Sequence, residues 1–242
     1  MSNHPYTHHR DEVVELIECY LNSSDYAPHR KLPSERDMCQ MWDVNRTTLR
    51  TAIHRLEELG KLYCLQGSGT YVAPPKFERN LQDAQSITQS VRNAGRQLST
   101  RVLSNQVLSA PEFIAQKLDI SVGDPVLCLH RFRMMDSHPY LVERNYVNLK
   151  RCPKLVDHDF SGESLYRVLS YFGVYPVEGS ESIGITYATE EEANLLCTEV
   201  GTSLFYREGT TCESDGKPIE FFRSVTRPDM VRFTSILRAR RP

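Results

Sequence analysis

LPSERDMCQMWDVNRTTLRTAIHRLEELGKLYCLQGSGTYV, residues 32–72, decides how the rest of the chain is read. Ser34, with Asp37 three residues later, fits the opening of a helix by a capping box. Met38, Met41 and Trp42 then line the buried side of a short helix, and Asp43-Val44 makes a tight turn. Asn45, a preferred N-cap residue, opens another helix. Leu49, Ala52, Ile53 and Leu56 recur at helical spacing and should face a core, with Arg46, Thr47 and Arg50 on the opposite side. Gly60 fits a left-handed stop. Two short strands, near 62–66 and 70–73, flank Gly67-Ser68-Gly69. Two capped helices followed by a glycine-tipped hairpin predict a winged helix-turn-helix, a module that presents one polar helix face to the DNA major groove.

Working outward, residues 8–22 hold Val13, Val14, Leu16, Ile17, Tyr20 and Leu21 at helical spacing, and the polar turn NSSDYAPHRK ends that helix. On the other side Ala73-Pro74-Pro75-Lys76 closes the module, because proline cannot continue a strand ladder. The predicted domains are 1–73, a linker over 74–85 that is extended or loosely ordered, and 86–242. The second domain reads as a short helix (86–94), a strand (98–109), a helix (111–118) and strands at 125–135 and 139–148. A helix at 163–172, a strand at 176–187, the Thr189-capped TEEEANLLC, and strands at 203–213, 217–226 and 231–239 follow. Asp215-Gly216 is a tight-hairpin signal. The fold class is α+β, two domains, the second built on a mostly antiparallel sheet.

Composition narrows the partners. The chain has 242 residues, a formal net charge of −2 and 25% charged residues. Residues 1–75 carry eight Lys/Arg against ten Asp/Glu. Any DNA affinity must therefore come from local placement of arginines, and its salt-dependent part should be modest unless two copies act together. No apolar run reaches membrane-spanning length, and the N-terminus lacks the apolar core of a signal peptide. The seven scattered cysteines form no CxxC pair. They read as reduced thiols in a cytoplasmic protein. No metal site and no cofactor are expected.

The motifs LPSER (32–36), NRTTLRTAIHRLEELG (45–60) and QGSGTYV (66–72) resemble the GntR family of bacterial transcription regulators. SITQSVRNAG (86–95), LHRFR (129–133), PYLVERNYV (139–147), SLYRVL (164–169) and DGKPIEFFRSVTRPDMVRF (215–233) resemble the UTRA effector domain of its HutC subfamily. The resemblance implies a homodimer on a palindromic operator, release by a small metabolite, and a second domain folded like chorismate lyase. Two positions depart from the pattern. His29 stands where the family usually has glycine, and Cys64 and Leu65 stand where basic residues often precede the wing.

The module and the resemblance together mark Arg36, Asn45, Arg46, Thr47, Thr48 and Arg50 as candidate DNA contacts. Gly67, Ser68, Gly69 and Thr70 are added from the wing. Arginine can donate two bonds to guanine, and threonine can touch a thymine methyl or a phosphate. Arg36 alternatively pairs with Glu35 or Asp37.

For the effector, Arg131 and Arg133 lie two apart on a strand and share a face with Leu127 and Leu129. Paired guanidinium groups bind phosphate or carboxylate; alternatively they pair with Glu143 or Glu220. Ser164 and Tyr166 match family positions at a helix start, where free amides favour an anion, or else Ser164 only caps and Tyr166 packs. Ser86 and Thr88 match the pocket edge. Glu143 and Glu220 either accept ligand protons or lock the arginines. The expected function is a ligand-responsive repressor that leaves its operator on binding a small anionic effector bearing phosphate, phosphonate or carboxylate. An activator or ligand-dependent DNA binder stays open, and a lyase-like enzyme is the remaining alternative. His130 points away from Arg131, and fold analogy alone does not imply catalysis.

Overall fold

The structure is a computed structural model that describes residues 9–22, 27–65, 67–83 and 85–236. His4, His8, part of the turn expected over 22–31, Gln66 and the end of the strand expected to run to 239 lie outside these residues. The chain divides into two compact units between Lys76 and Phe77.

The first unit contains α1 (His9–Leu21), α2 (Glu35–Trp42), α3 (Arg46–Glu58), β1 (Leu62–Leu65) and β2 (Gly69–Val72). Ser34 accepts a hydrogen bond from the Asp37 amide at 3.2 Å, and Asn45 accepts one from the Thr48 amide at 2.8 Å. These caps satisfy amides that a helix start leaves without partners. Gly60, at φ 66, ends α3, with the Lys61 amide on the Leu56 carbonyl at 2.8 Å. Val13, Ile17, Leu32, Met38, Leu49, Ala52, Ile53, Leu56, Leu62 and Val72 form one buried core. Each of these side chains larger than alanine contributes about 1.5–3 kcal/mol on burial. Met41 does not join them: it is half exposed, and Trp42 packs edge-on against Tyr20 in its place. His29 adopts φ 67, the left-handed conformation that glycine takes freely, so the substitution leaves the turn's geometry available.

After the short strand β3 (Phe77–Asn80), the second unit is built on a sheet of six strands: β4 (Leu98–Ser109), β5 (Pro125–Met135), β6 (His138–Asn148), β7 (Glu178–Tyr187), β8 (Ser203–Cys212) and β9 (Pro218–Thr226). Their order is β4-β5-β6-β9-β8-β7, and every pairing is antiparallel. One face packs Leu127, Leu129 and Val147 against Leu165, Val168 and Leu169 of a helix at Leu165–Tyr171. The other face packs Phe132, Val142 and Val225 against Ala193 and Leu196 of a helix at Glu190–Leu196, which opens with a complete capping box at Thr189. Helices at Ile87–Asn93 and Glu112–Leu118 complete the layers; the helix expected from residue 111 starts one residue later, with Pro111 as its N-cap residue.

The stretch expected as a linker is partly something else. Phe77–Asn80 form a strand paired in parallel with Val231–Thr234. Phe77 is buried with Val91, Met135, Tyr140, Leu141 and Val231. One aromatic residue in a polar segment gives no alternation, so only its distant partner strand defines it. A short helical turn at Pro153–Asp157 was likewise not legible.

The hairpin joining Pro125–Met135 to His138–Asn148 places both Asp136 and Ser137 at positive φ, 50 and 65. Hairpin turns of this hand favour glycine at the second position. Ser137→Gly should raise stability by about 0.5–1 kcal/mol, since the left-handed penalty exceeds the entropy glycine adds to the unfolded chain. A lowered thermal midpoint would exclude strain in this turn.

Candidate DNA-reading face and effector pocket

Asn45 turns the chain into α3, so the residues that follow emerge at the helix start on the side away from Leu49 and Ile53. Arg46 and Arg50 have side chains 73% and 66% exposed, accessible to a macromolecular partner. Both are held by one carboxylate. Glu35 Oε2 lies 2.8 Å from Arg46 Nε and Glu35 Oε1 lies 3.4 Å from Arg50 Nε. Glu35 therefore pairs with α3 and not with its neighbour Arg36, which is exposed and has no ion pair among the described residues. Thr47 is exposed. Asn45 Oδ1 and Thr48 Oγ1 are 3.0 Å apart in the helix cap, so these two side chains are partly engaged in building the helix start.

The wing tip is exposed at Gly67, Ser68 and Gly69. Gly69 sits at φ 127, a backbone conformation that side-chain-bearing residues rarely adopt, and this favours glycine there; the nearby Lys31 side chain could move aside. Ser68 Oγ lies 2.5 Å from the Tyr71 hydroxyl. Thr70 is a correction to the sequence reading. Its side chain is buried, 3.2 Å from Cys64 Sγ, because strand alternation turns it into the unit.

In the second unit, strand register builds a polar row. Arg131, Glu143, Ser224 and Arg207 stand opposite one another across β5, β6, β9 and β8. Arg131 and Arg133 are buried, and Glu143 Oε1 lies 2.8 Å from Arg131 Nη2 and 2.8 Å from Arg133 Nε. Arg131 also donates to Asn145 Oδ1 at 2.9 Å, Asn145 donates to Glu220 Oε1 at 2.6 Å, and Thr211 donates to Glu220 Oε2 at 3.0 Å. Arg133 donates to Thr88 Oγ1 at 2.9 Å. Burial opposes the Glu143 charge, but the surrounding arginines, Arg131 and Arg133 foremost with Arg207 and Arg79, together hold its carboxyl below the usual range. Burial instead raises Glu220, which has no arginine partner of its own, and pulls Arg133 down to about 10. The alternative that Glu143 locks the arginines is thus realised. Even so, Nε and Nη1 of Arg131 stay buried without hydrogen bonds among the described residues.

Arg131, Arg133, Glu143 and Glu220 line a narrow cavity of about 60 Å³ together with Ser86, Ser164 and Tyr166. Ser164 makes no capping hydrogen bond, so its hydroxyl is not consumed by its own helix. Ser86 does cap, accepting from the Gln89 amide at 3.3 Å. Thr88 lies beside the cavity and reaches it through Arg133. His130 lines a different cavity on the opposite sheet face.

Sequence reading missed Asn145, Arg207, Phe222, Ser224 and Arg79, which also line the cavity. Asn145 follows Glu143 by two residues and Ser224 follows Glu220 by four, so period-two alternation could have found both. Arg79 carried no such signal, since its strand was not recognised.

A family model for the UTRA domain matches residues 93–232, and one for bacterial regulatory proteins of the gntR family matches residues 9–72. The uncharacterized HTH-type transcriptional regulator YurK of Bacillus subtilis is 30% identical over 92% of this chain and 93% of its own length. The HTH-type transcriptional repressor NagR of the same organism is 26% identical over 92% and 91%. The crystal structure of PhnF from Mycobacterium smegmatis aligns with a TM-score of 0.69 at 26% identity, covering 94% of this chain and 100% of that one.

Proposed function

Because the chain belongs to the GntR family of bacterial regulatory proteins and carries a UTRA domain, we propose that it is a cytoplasmic, homodimeric repressor that a small anionic metabolite releases from a palindromic operator. It is a DNA-binding transcription regulator with an effector-binding second unit. In the proposed mode, Arg46, Thr47 and Arg50 enter the major groove and Gly67-Ser68-Gly69 approaches the adjacent backbone. Arg36 reaches a phosphate. Asn45 and Thr48 hold the helix start and offer it to the DNA.

The observation that carries the effector reading is the excess of buried positive charge. Four arginines line the narrow cavity, against Glu143, which Arg131 and Arg133 share, and Glu181, which pairs with Arg207; Glu220, the other carboxylate lining it, has no arginine partner. Buried charge without compensation is costly, so an anion is the complementary ligand. Phosphate, phosphonate and carboxylate all suit guanidinium geometry. Ser86, Ser164 and Tyr166 would add hydroxyl contacts, and Glu220 would meet ligand hydroxyl or amino groups. The ligand shifts the DNA-binding equilibrium only by its differential affinity for the two arrangements. No turnover of the ligand belongs to this reading, and mass spectrometry of the incubated metabolite tests that.

Gel-shift titration against the DNA upstream of its own gene, with and without anionic metabolites, tests the proposal. Arg131→Ala with Arg133→Ala should abolish release while operator binding persists. Glu143→Gln is added to the double variant so that no carboxylate is left buried beside missing partners. Normal release by this triple variant would place the effector elsewhere. Binding to DNA only in the presence of metabolite would reverse the regulatory sign.

A further inference from the structure

Arg79 stands on the parallel strand Phe77–Asn80 and lines two cavities, the narrow one and a wider neighbour of about 350 Å³. Its Nε and Nη1 are buried with no hydrogen-bond partner among the described residues. The other three guanidinium groups of the narrow cavity have carboxylates: Arg131 and Arg133 share Glu143, and Arg207 pairs with Glu181. Among the described residues no carboxylate lies within ion-pair distance of Arg79. Burial, and then the positive charge of Arg207, both act against its protonated form. A guanidinium placed beside another cation, with donors unsatisfied, is unfavourable for folding alone. Such a group is stabilised when a ligand supplies the missing anion.

Resting on the reading of this pocket as the effector site, we propose that Arg79 is an effector-binding residue that takes an anionic oxygen of the ligand where the two cavities meet, and that this contact reports occupancy along the strand to the DNA-binding unit. The space supports the contact. The narrow cavity, about 60 Å³, is several times the roughly 10–15 Å³ that a single water needs. It therefore admits a phosphate- or carboxylate-sized head, and the ligand body passes Arg79 into the wider cavity. Connectivity supports the reporting. Phe77 is the residue after Lys76, where the first unit ends. Besides its ladder with Val231–Thr234 and the burial of Phe77, this short strand has Arg79 as its link to the cavity. An anion engaged by Arg79 fastens the strand to the walls of the pocket at the point where the chain leaves for the DNA-binding unit.

The test is a titration of the full-length protein with inorganic phosphate at constant ionic strength. It is followed by arginine Nε–H nuclear magnetic resonance and by amide exchange over residues 77–81. The signals of Arg79 and Arg131 should move with a common midpoint, and amides 77–81 should exchange more slowly in phosphate. Arg79→Gln, whose missing signal also assigns the resonance, should weaken the midpoint read at Arg131 tenfold or more, the scale of one charged hydrogen bond. Arg79→Lys, which keeps the charge, should lie between the two and serves if the glutamine variant does not fold. Movement of Arg131 with a static Arg79, or an unchanged midpoint in Arg79→Gln, overturns the contact. Unchanged exchange over 77–81 overturns the reporting role. If neither arginine responds, the anionic-effector reading itself fails, which is a separate result.

Discussion

Replacing Arg46 by alanine is expected to cost about 1–3 kcal/mol of specific operator binding per half-site. A dimer engaging two half-sites would lose roughly 2–6 kcal/mol, which is about thirty- to twenty-thousand-fold in affinity. Arg50→Ala should fall in the same range. The reason is positional: both side chains are exposed at the start of α3, and both are oriented by Glu35 in the free protein. That ion pair lies at the surface, where it contributes little to stability. Its main consequence is to restrict two flexible side chains before DNA arrives. A base contact and a phosphate contact separate in the same experiment. Loss of a base contact relaxes preference at one operator position, whereas loss of a phosphate contact weakens all sequences and flattens the salt dependence. Quantitative gel shifts on wild-type and point-substituted operators make the distinction. Equal affinity of both alanine variants and wild type would remove α3 from the groove.

The second large effect concerns folding. Glu143→Gln should destabilise the second unit by about 3–5 kcal/mol, because it leaves Arg131 and Arg133 buried beside an uncharged amide. Inorganic phosphate should restore part of that loss, by binding the folded state where the carboxylate was. Urea melts with and without phosphate measure both. A midpoint unchanged from wild type would mean that the arginines do not need Glu143. The wild-type protein should show the corresponding acid sensitivity. Glu143 titrates lower when folded than when unfolded, so its contribution is present above the ordinary glutamate value near 4.5 and is lost as pH falls through the lower, folded value. Glu220 has the opposite sign. Its carboxyl is raised, so the folded state is favoured by its protonation, and that advantage disappears as pH rises through the raised value.

The asymmetry between these two glutamates was not visible in the linear chain. Both sit on predicted strands, and both matched family positions. Only the register decides that Glu143 stands opposite Arg131, whereas Glu220 faces Val147 and Thr211. The same register explains Thr70. By sequence it opens the second wing strand, and only the pairing of the wing decides that it faces inward.

The first unit was legible because its determinants are local. Capping by Ser34 and Asn45, the stop at Gly60 and the apolar spacing of α3 each act within a turn or two of helix, so consecutive residues suffice to state them. The strands of the second unit were legible from alternation, and so was the shared face of Arg131 and Arg133. Partners distant in sequence were not. Phe77–Asn80 becomes a strand only because Val231–Thr234 lies beside it, and Arg79 enters the pocket only as a result of that pairing. The chain alone determined which residues carry charge and which side of each element they occupy; tertiary contact decided which charges are answered, because compensation depends on distances between residues that the sequence separates.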